Sequence, residues 1–131
     1  GLFEGISNLR NLDISFTGHA ILKPGTFKRL SELQKLNMNY VNVGNYTTDV
    51  LADLPSIKEL QMITITTGST SLAVNTFKNL STLQFLDLSN NNIHQIRPGA
   101  FNGLRNLHKL VLAENYLKEI RPSTFNGLLN L

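Results

Sequence analysis

Residues 83–101, LQFLDLSNNNIHQIRPGAF, decide the fold of this chain. Apolar side chains stand at Leu83, Leu86, Leu88, Ile93, Ile96 and Phe101, with Asn91 among them. The same spacing returns 24 residues on, at Leu107, Leu110, Leu112, Asn115, Leu117, Ile120 and Phe125. The L-x-L core alternates with period two, which marks a short strand with one buried face. One such strand in a 24-residue unit cannot bury its apolar residues alone, so neighbouring units must stack. Each unit turns through a full coil and lays its strand about 4.8 Å beside the last, giving a parallel sheet.

The period extends toward the start of the chain. Units begin at Leu9, Leu33, Ile57, Leu83 and Leu107. The third runs to 26 residues, and the Thr64–Ser71 segment is expected to absorb the two extra. One inward column is Leu12, Leu36, Leu60, Leu86 and Leu110, with Ile14, Met38, Met62, Leu88 and Leu112 beside it. A second column, Phe3, Phe27, Phe77, Phe101 and Phe125, is interrupted by Leu51. Val43 and Tyr46 add apolar positions in the second unit. Pro24, Pro98 and Pro122 share one register, where fixed φ suits an extended return segment and opposes helix. Asn91 and Asn115 fill the ninth position of their units, whereas Thr17, Val41 and Ile65 do not. A buried amide there can bond backbone groups of the turn and of the next coil, so looser coils are expected before residue 83.

The 131 residues, 41% hydrophobic and 16% charged, suit one folded array over residues 1–131. Phe3 enters in mid-unit and Leu131 opens another, so the array is expected to be cut at both ends. No apolar run reaches the roughly 18 residues that span a membrane. With no cysteine there is no disulfide framework, thiolate metal site or thiol nucleophile. A net charge of +3 does not favour nucleic acid as a partner.

Residues 83–104 and 107–128 share L-x-x-L-x-L-x-x-N-x-[IL]-x-x-I-x-P-x-x-F-x-x-L, and in this they resemble extracellular leucine-rich repeats with a phenylalanine column. Among those, residues 9–131 are similar to a Toll-like receptor ectodomain. Leu12-Asp13-Ile14-Ser15, the irregular unit 57–82, and a stretch without asparagines followed by regular repeats carry that similarity. The resemblance implies an α/β-type solenoid, a horseshoe with a parallel sheet on its concave face and a mostly irregular convex side. It implies ligand sensing at the cell surface or in endosomes, with dimerisation on ligand binding. A protein or microbial ligand would meet the concave face or a flank, and a membrane would enter only through segments beyond these residues. Matrix proteoglycans and adhesion receptors share most of these positions, so a structural interaction module is the alternative.

Catalytic and metal chemistry find little support. Ser89, Asp87 and His108 fall on neighbouring strands, but the offset of Asp87 from His108 is roughly 10 Å along the strand. A base and its orienter need about 2.6–3.2 Å. His19, His94 and His108 lie at different registers and suggest no metal and no cofactor. His19 reads as a half-buried ring or a pH switch. Lys23, Arg97 and Arg121 share a flank, interrupted by Thr47, and read as a solvated row. Two sequons, Asn45-Tyr46-Thr47 and Asn79-Leu80-Ser81, lie off the strand face and make Asn45 and Asn79 candidate glycosylation sites.

The outward strand positions supply the candidate binding surface. Position three gives Asn11, Lys35, Glu59, Phe85 and Lys109, and position five gives Asp13, Asn37, Gln61, Asp87 and Val111. Position seven gives Ser15, Asn39, Ile63, Ser89 and Ala113, and position eight adds Phe16, Tyr40, Thr64, Asn90 and Glu114. Phe85, Val111 and Ile63 stand out as apolar residues ringed by Lys35, Glu59, Gln61 and Lys109. An aromatic anchor within a polar ring is the composition of a binding hot spot. The candidate ligand-binding residues are therefore Phe85, Lys109, Val111, Gln61 and Ile63, with Phe16 and Tyr40 as a second aromatic pair.

Overall fold

The computed structural model describes residues 2–18, 21–45, 47–67 and 69–131. The readings of His19 and of Tyr46 lie outside these residues. Five three-residue strands form one parallel sheet: β1 (Asn11–Asp13), β2 (Lys35–Asn37), β4 (Glu59–Gln61), β7 (Phe85–Asp87) and β9 (Lys109–Val111). Their register is the one the period requires, with Leu12, Leu36, Leu60, Leu86 and Leu110 opposite one another in sequence. The sheet continues past the strands as a hydrogen-bond ladder. Met38 N–H donates to Gln61 O, Met62 N–H to Asp87 O and Leu88 N–H to Val111 O.

Position eight then turns the chain off the sheet. Phe16, Tyr40, Thr64, Asn90 and Glu114 all adopt left-handed φ of 54–60°. Only Asn90 among them is a residue type that favours this conformation. The turn is thus imposed by the coil and not by local preference.

The two inward columns form the core. Leu36, Leu60, Leu86, Met38 and Leu83 are fully buried, while Leu12, Leu110 and Leu112 in the outer coils are half-buried. The phenylalanines stack as a column, with centroid separations of 6.2 Å for Phe3–Phe27, 6.3 Å for Phe77–Phe101 and 6.1 Å for Phe101–Phe125. Burying each stabilises by about 1.5–3 kcal/mol. Leu51 fills the gap from within α1 (Thr47–Leu51). Thr48 there replaces the proline of Pro24, Pro98 and Pro122, which lifts the bar to helix.

Among the described residues, the side opposite the sheet carries only short pairs. β3 (Asn42–Gly44) pairs with β5 (Thr66–Thr67), and β6 (Ser71–Leu72) pairs with β8 (Gln95–Ile96). Asn42 faces Thr66 and Ser71 faces Gln95, both 24 residues apart, yet Gln61 faces Asp87 at 26. The two extra residues therefore lie between Thr66 and Ser71, inside the expected segment. Here the third coil stops pairing backward and starts pairing forward.

The asparagine ladder is present and longer than expected. Asn91 Nδ2 donates to Met62 O at 2.6 Å and its Oδ1 accepts from Ile65 N–H at 2.7 Å. Asn115 Oδ1 accepts from Asn91 N–H and Ile93 N–H at 3.0 Å each, and its Nδ2 donates to Leu88 O at 2.9 Å. The ladder thus reaches back into the third coil, which corrects the expected boundary at residue 83. A second ladder has no single residue type to mark it in the sequence. Ser56 donates to Ser31 O, Thr82 to Ile57 O, Asn106 to Ser81 O and Asn130 to Arg105 O. These bonds join successive coils on both sides of residue 83.

Asn91→Ala should destabilise the protein by about 2–4 kcal/mol, because Met62 O and Ile65 N–H lose their partner inside the coil. Thr17→Ala, at an exposed position, should stay within about 0.5 kcal/mol. Denaturant midpoints for the two variants check this, and equal shifts would contradict it.

Candidate functional site

The sheet presents its outward side chains as parallel rows because every strand shares one register. In row three, Lys35 Nζ pairs with Glu59 Oε1 at 3.0 Å. The next two residues of that row make a different contact, with Lys109 Nζ standing 5.4 Å from the centroid of the Phe85 ring. The ring quadrupole attracts the ammonium, and at such an exposed site the pair contributes about 0.5–1 kcal/mol. Of the candidate residues, Phe85, Val111, Gln61 and Ile63 are half-buried and Lys109 is exposed. Gln61, Asp87 and Val111 are successive register partners in row five. Ile63 is held in row seven, its N–H donating to Asn39 Oδ1 at 2.8 Å.

The structure therefore brings Phe85 and Lys109 into contact and places Gln61, Val111 and Ile63 on the same sheet. It also brings Phe16 and Tyr40 together, with stacked rings 4.3 Å apart and 18° from parallel. Both remain largely exposed, at 70% and 47%.

The first half of the sheet face forms a groove of about 420 Å³ over β1, β2 and β4. Its floor is a polar network. Asn37 Nδ2 donates to Asp13 Oδ2 at 3.2 Å, and Ser15 Oγ donates to Asn37 Oδ1 at 2.6 Å. The polar row five, with Asp13, Asn37, Gln61 and Asp87, is the sequence signal of this network. The Ser15 backbone N–H, 2.9 Å from Asp13 Oδ1, holds that carboxyl below the usual range, and the Ser15 hydroxyl adds a smaller lowering.

The tempting catalytic set does not assemble. Ser89 Oγ donates to Asp87 Oδ1 at 2.6 Å, which also accepts the Ser89 N–H, so the pair closes a local turn. His108 is exposed. Among the described residues no cluster of His, Cys, Asp or Glu could hold a metal, and no helix is long and apolar enough to cross a membrane. On the flank, Arg121 pairs with Glu119 of its own coil, while Lys23 and Arg97 are exposed. Both sequon asparagines, Asn45 and Asn79, are exposed.

The leucine rich repeat family matches residues 67–113. Mouse Toll-like receptor 9 is 32% identical over 100 residues, covering 70% of this chain and 10% of the receptor. Mouse Toll-like receptor 3 is 32% identical over 103 residues, covering 76% of this chain and 11% of the receptor. The crystal structure of a TLR13–ssRNA13 complex superposes with a TM-score of 0.83 at 27% identity, covering 98% of this chain and 18% of that one. The chain thus spans about a tenth of the two mouse receptors. It belongs to the leucine-rich repeat proteins. Within them it is like a segment of a Toll-like receptor ectodomain.

A folded-state carboxyl pKa held low stabilises above the ordinary carboxylate pKa. That contribution is lost as pH falls through the lowered value. In an NMR titration Asp13 should accordingly show a midpoint below an ordinary aspartate, and Ser15→Ala should raise it part of the way. A midpoint at or above the ordinary value would contradict the Ser15 contact.

Proposed function

We propose that this segment takes part in ligand recognition by a Toll-like receptor ectodomain, through the sheet face around Phe85. The observation that carries the reading is the Lys109–Phe85 contact, an aromatic and a cation set side by side on an otherwise polar sheet. Val111, Ile63 and Gln61 extend the patch with half-buried surface. Asp13, Glu59 and Asp87 on the same face offset Lys35 and Lys109, so the field there is mixed. A mixed field suits a protein or other partly apolar ligand better than a bare polyanion. Dimerisation of the receptor on ligand binding belongs to the same reading, as does a position at the cell surface or in the endosomal lumen.

One observation favours a second ligand class. The similar TLR13 chain was crystallised with single-stranded RNA. If this sheet took RNA, bases would stack on its aromatic rings and affinity would fall with salt. A matrix or adhesion role remains the alternative to a receptor, and the similarity to Toll-like receptors 9 and 3 weighs for the receptor.

The test is Phe85→Ala with Val111→Ser in the full-length protein. Binding of its ligand should weaken by more than about threefold, roughly 0.7 kcal/mol, with the melting temperature little changed because these side chains point away from the core. Retention of binding within that limit would remove this patch as the site. An affinity that drops steeply with salt would select nucleic acid over protein.

In a secreted form, Asn79 and Asn45 should carry N-glycans. Mass spectrometry before and after enzymatic deglycosylation checks both, and Asn79→Gln should remove one glycan mass. Unmodified peptides at both positions would contradict a lumenal or extracellular location.

A further inference from the structure

The third coil leaves a partly open cavity of about 170 Å³ on the side away from the sheet. It lies where the pairing changes, since β5 joins β3, β6 joins β8, and the two small sheets do not join each other. The lining grades from core to surface. Met62, Ile65, Phe77 and Ile93 are buried and form an apolar wall. Asn45 is exposed and stands at the opening, with Thr47 and Thr48 half-buried beside it. Asn45 and Thr47 are also the two ends of the sequon Asn45-Tyr46-Thr47. The other sequon asparagine, Asn79, is exposed and does not line the cavity.

We infer that the glycan on Asn45 lies over this opening, with its first N-acetylglucosamine covering the apolar wall. The inference rests on the reading of Asn45 as a glycosylated residue. Transfer forms a bond from Asn45 Nδ2 to C1 of that sugar and breaks the bond from C1 to a lipid diphosphate donor. The diphosphate leaves with the electron pair, and the amide loses one proton. Three features support the placement. The attachment point is at the opening, so the sugar meets the wall at the high effective concentration of a tethered group. Its acetyl methyl and the C–H face of its ring are apolar and gain by leaving water for buried carbon. Its hydroxyls remain at the rim, where the Thr47 and Thr48 hydroxyls can donate and accept. A free apolar ligand has the wall but no tether, and a glycan on Asn79 has a tether but no wall.

The experiment uses the full-length protein, secreted with high-mannose glycans. Mass spectrometry reads glycan occupancy, and hydrogen–deuterium exchange is followed over residues 62–77. An endoglycosidase that leaves one N-acetylglucosamine on each asparagine should leave that exchange unchanged. Complete removal, by a peptide-N-glycosidase acting on the folded protein or by Asn45→Gln or Thr47→Ala, should speed it about three- to tenfold. The enzymatic route replaces the variants if they do not fold. Asn79→Gln should leave the exchange unchanged. A naphthalene dye that brightens on apolar surface should do so on complete removal and not on trimming. An unmodified Asn45 overturns the glycosylation reading and the inference together. With Asn45 modified, the inference alone is overturned if complete removal leaves exchange unchanged, if Asn79→Gln speeds it equally, or if trimming to one sugar already speeds it. Equal dye brightness throughout shows a wall open to other apolar occupants and also overturns it.

Discussion

A coil that closes on itself leaves backbone N–H and C=O groups inside its bends with no strand opposite them, and the rest of this structure depends on giving them partners. Asparagine solves the problem because one amide carries both a donor and an acceptor. Asn115 thereby ties Leu88 O, Asn91 N–H and Ile93 N–H of the preceding coil to its own. Asn91 does the same for Met62 O and Ile65 N–H. Val41, fully buried at the same register, has no polar atom to offer. Bonds between the early coils come from other places, from Ser56 in the turn before β4 and from Asn39 on the sheet face.

That difference sets what the sheet face is free to do. In the first coils the outward residues Ser15, Asn37 and Asn39 are bonded to one another and to backbone. Their polarity serves cohesion as well as solvation. In the last two coils the inward amides take over that duty, and the outward positions can hold Phe85, Val111 and Ala113 instead. An apolar surface patch and a continuous amide ladder occur in the same part of the chain for one reason. Once the turns are satisfied from inside, the outer rows no longer need to be polar.

The repeat unit was legible because its signal is redundant. Five copies of the L-x-L core fix strand register, and each phenylalanine except the one replaced by Leu51 confirms the phase. Placing the insertion in Thr64–Ser71 followed from the same counting. The second ladder was hidden because Ser56, Thr82, Asn106 and Asn130 share a function but not a residue type. The left-handed position eight was hidden for the same cause, since Phe16, Tyr40 and Glu114 carry none of the local preference that marks such turns. The helix at Thr47–Leu51 could have been read from the missing proline at Thr48. Of the site, the facing of Phe85 and Lys109 followed from period two. Their contact with each other, and the half-burial of Phe85, depend on rotamers that no spacing rule supplies.

The third coil shows why variation in such an array collects opposite the sheet. Two extra residues within β4 or its ladder would shift every bond to β7 and move inward leucines out of their column. Between Thr66 and Ser71 they meet no such penalty, because the pairing on that side is short and breaks between β5 and β6. The sheet register therefore passes from Gln61 to Asp87 unbroken while the opposite side divides into two separate pairs. What opens between them is a partly open space lined by core residues of the third and fourth coils, with Gly44, Asn45, Thr47 and Thr48 of the second beside them. A solenoid can in this way absorb a two-residue insertion and keep its sheet, provided the insertion falls where the coil has the least pairing to lose.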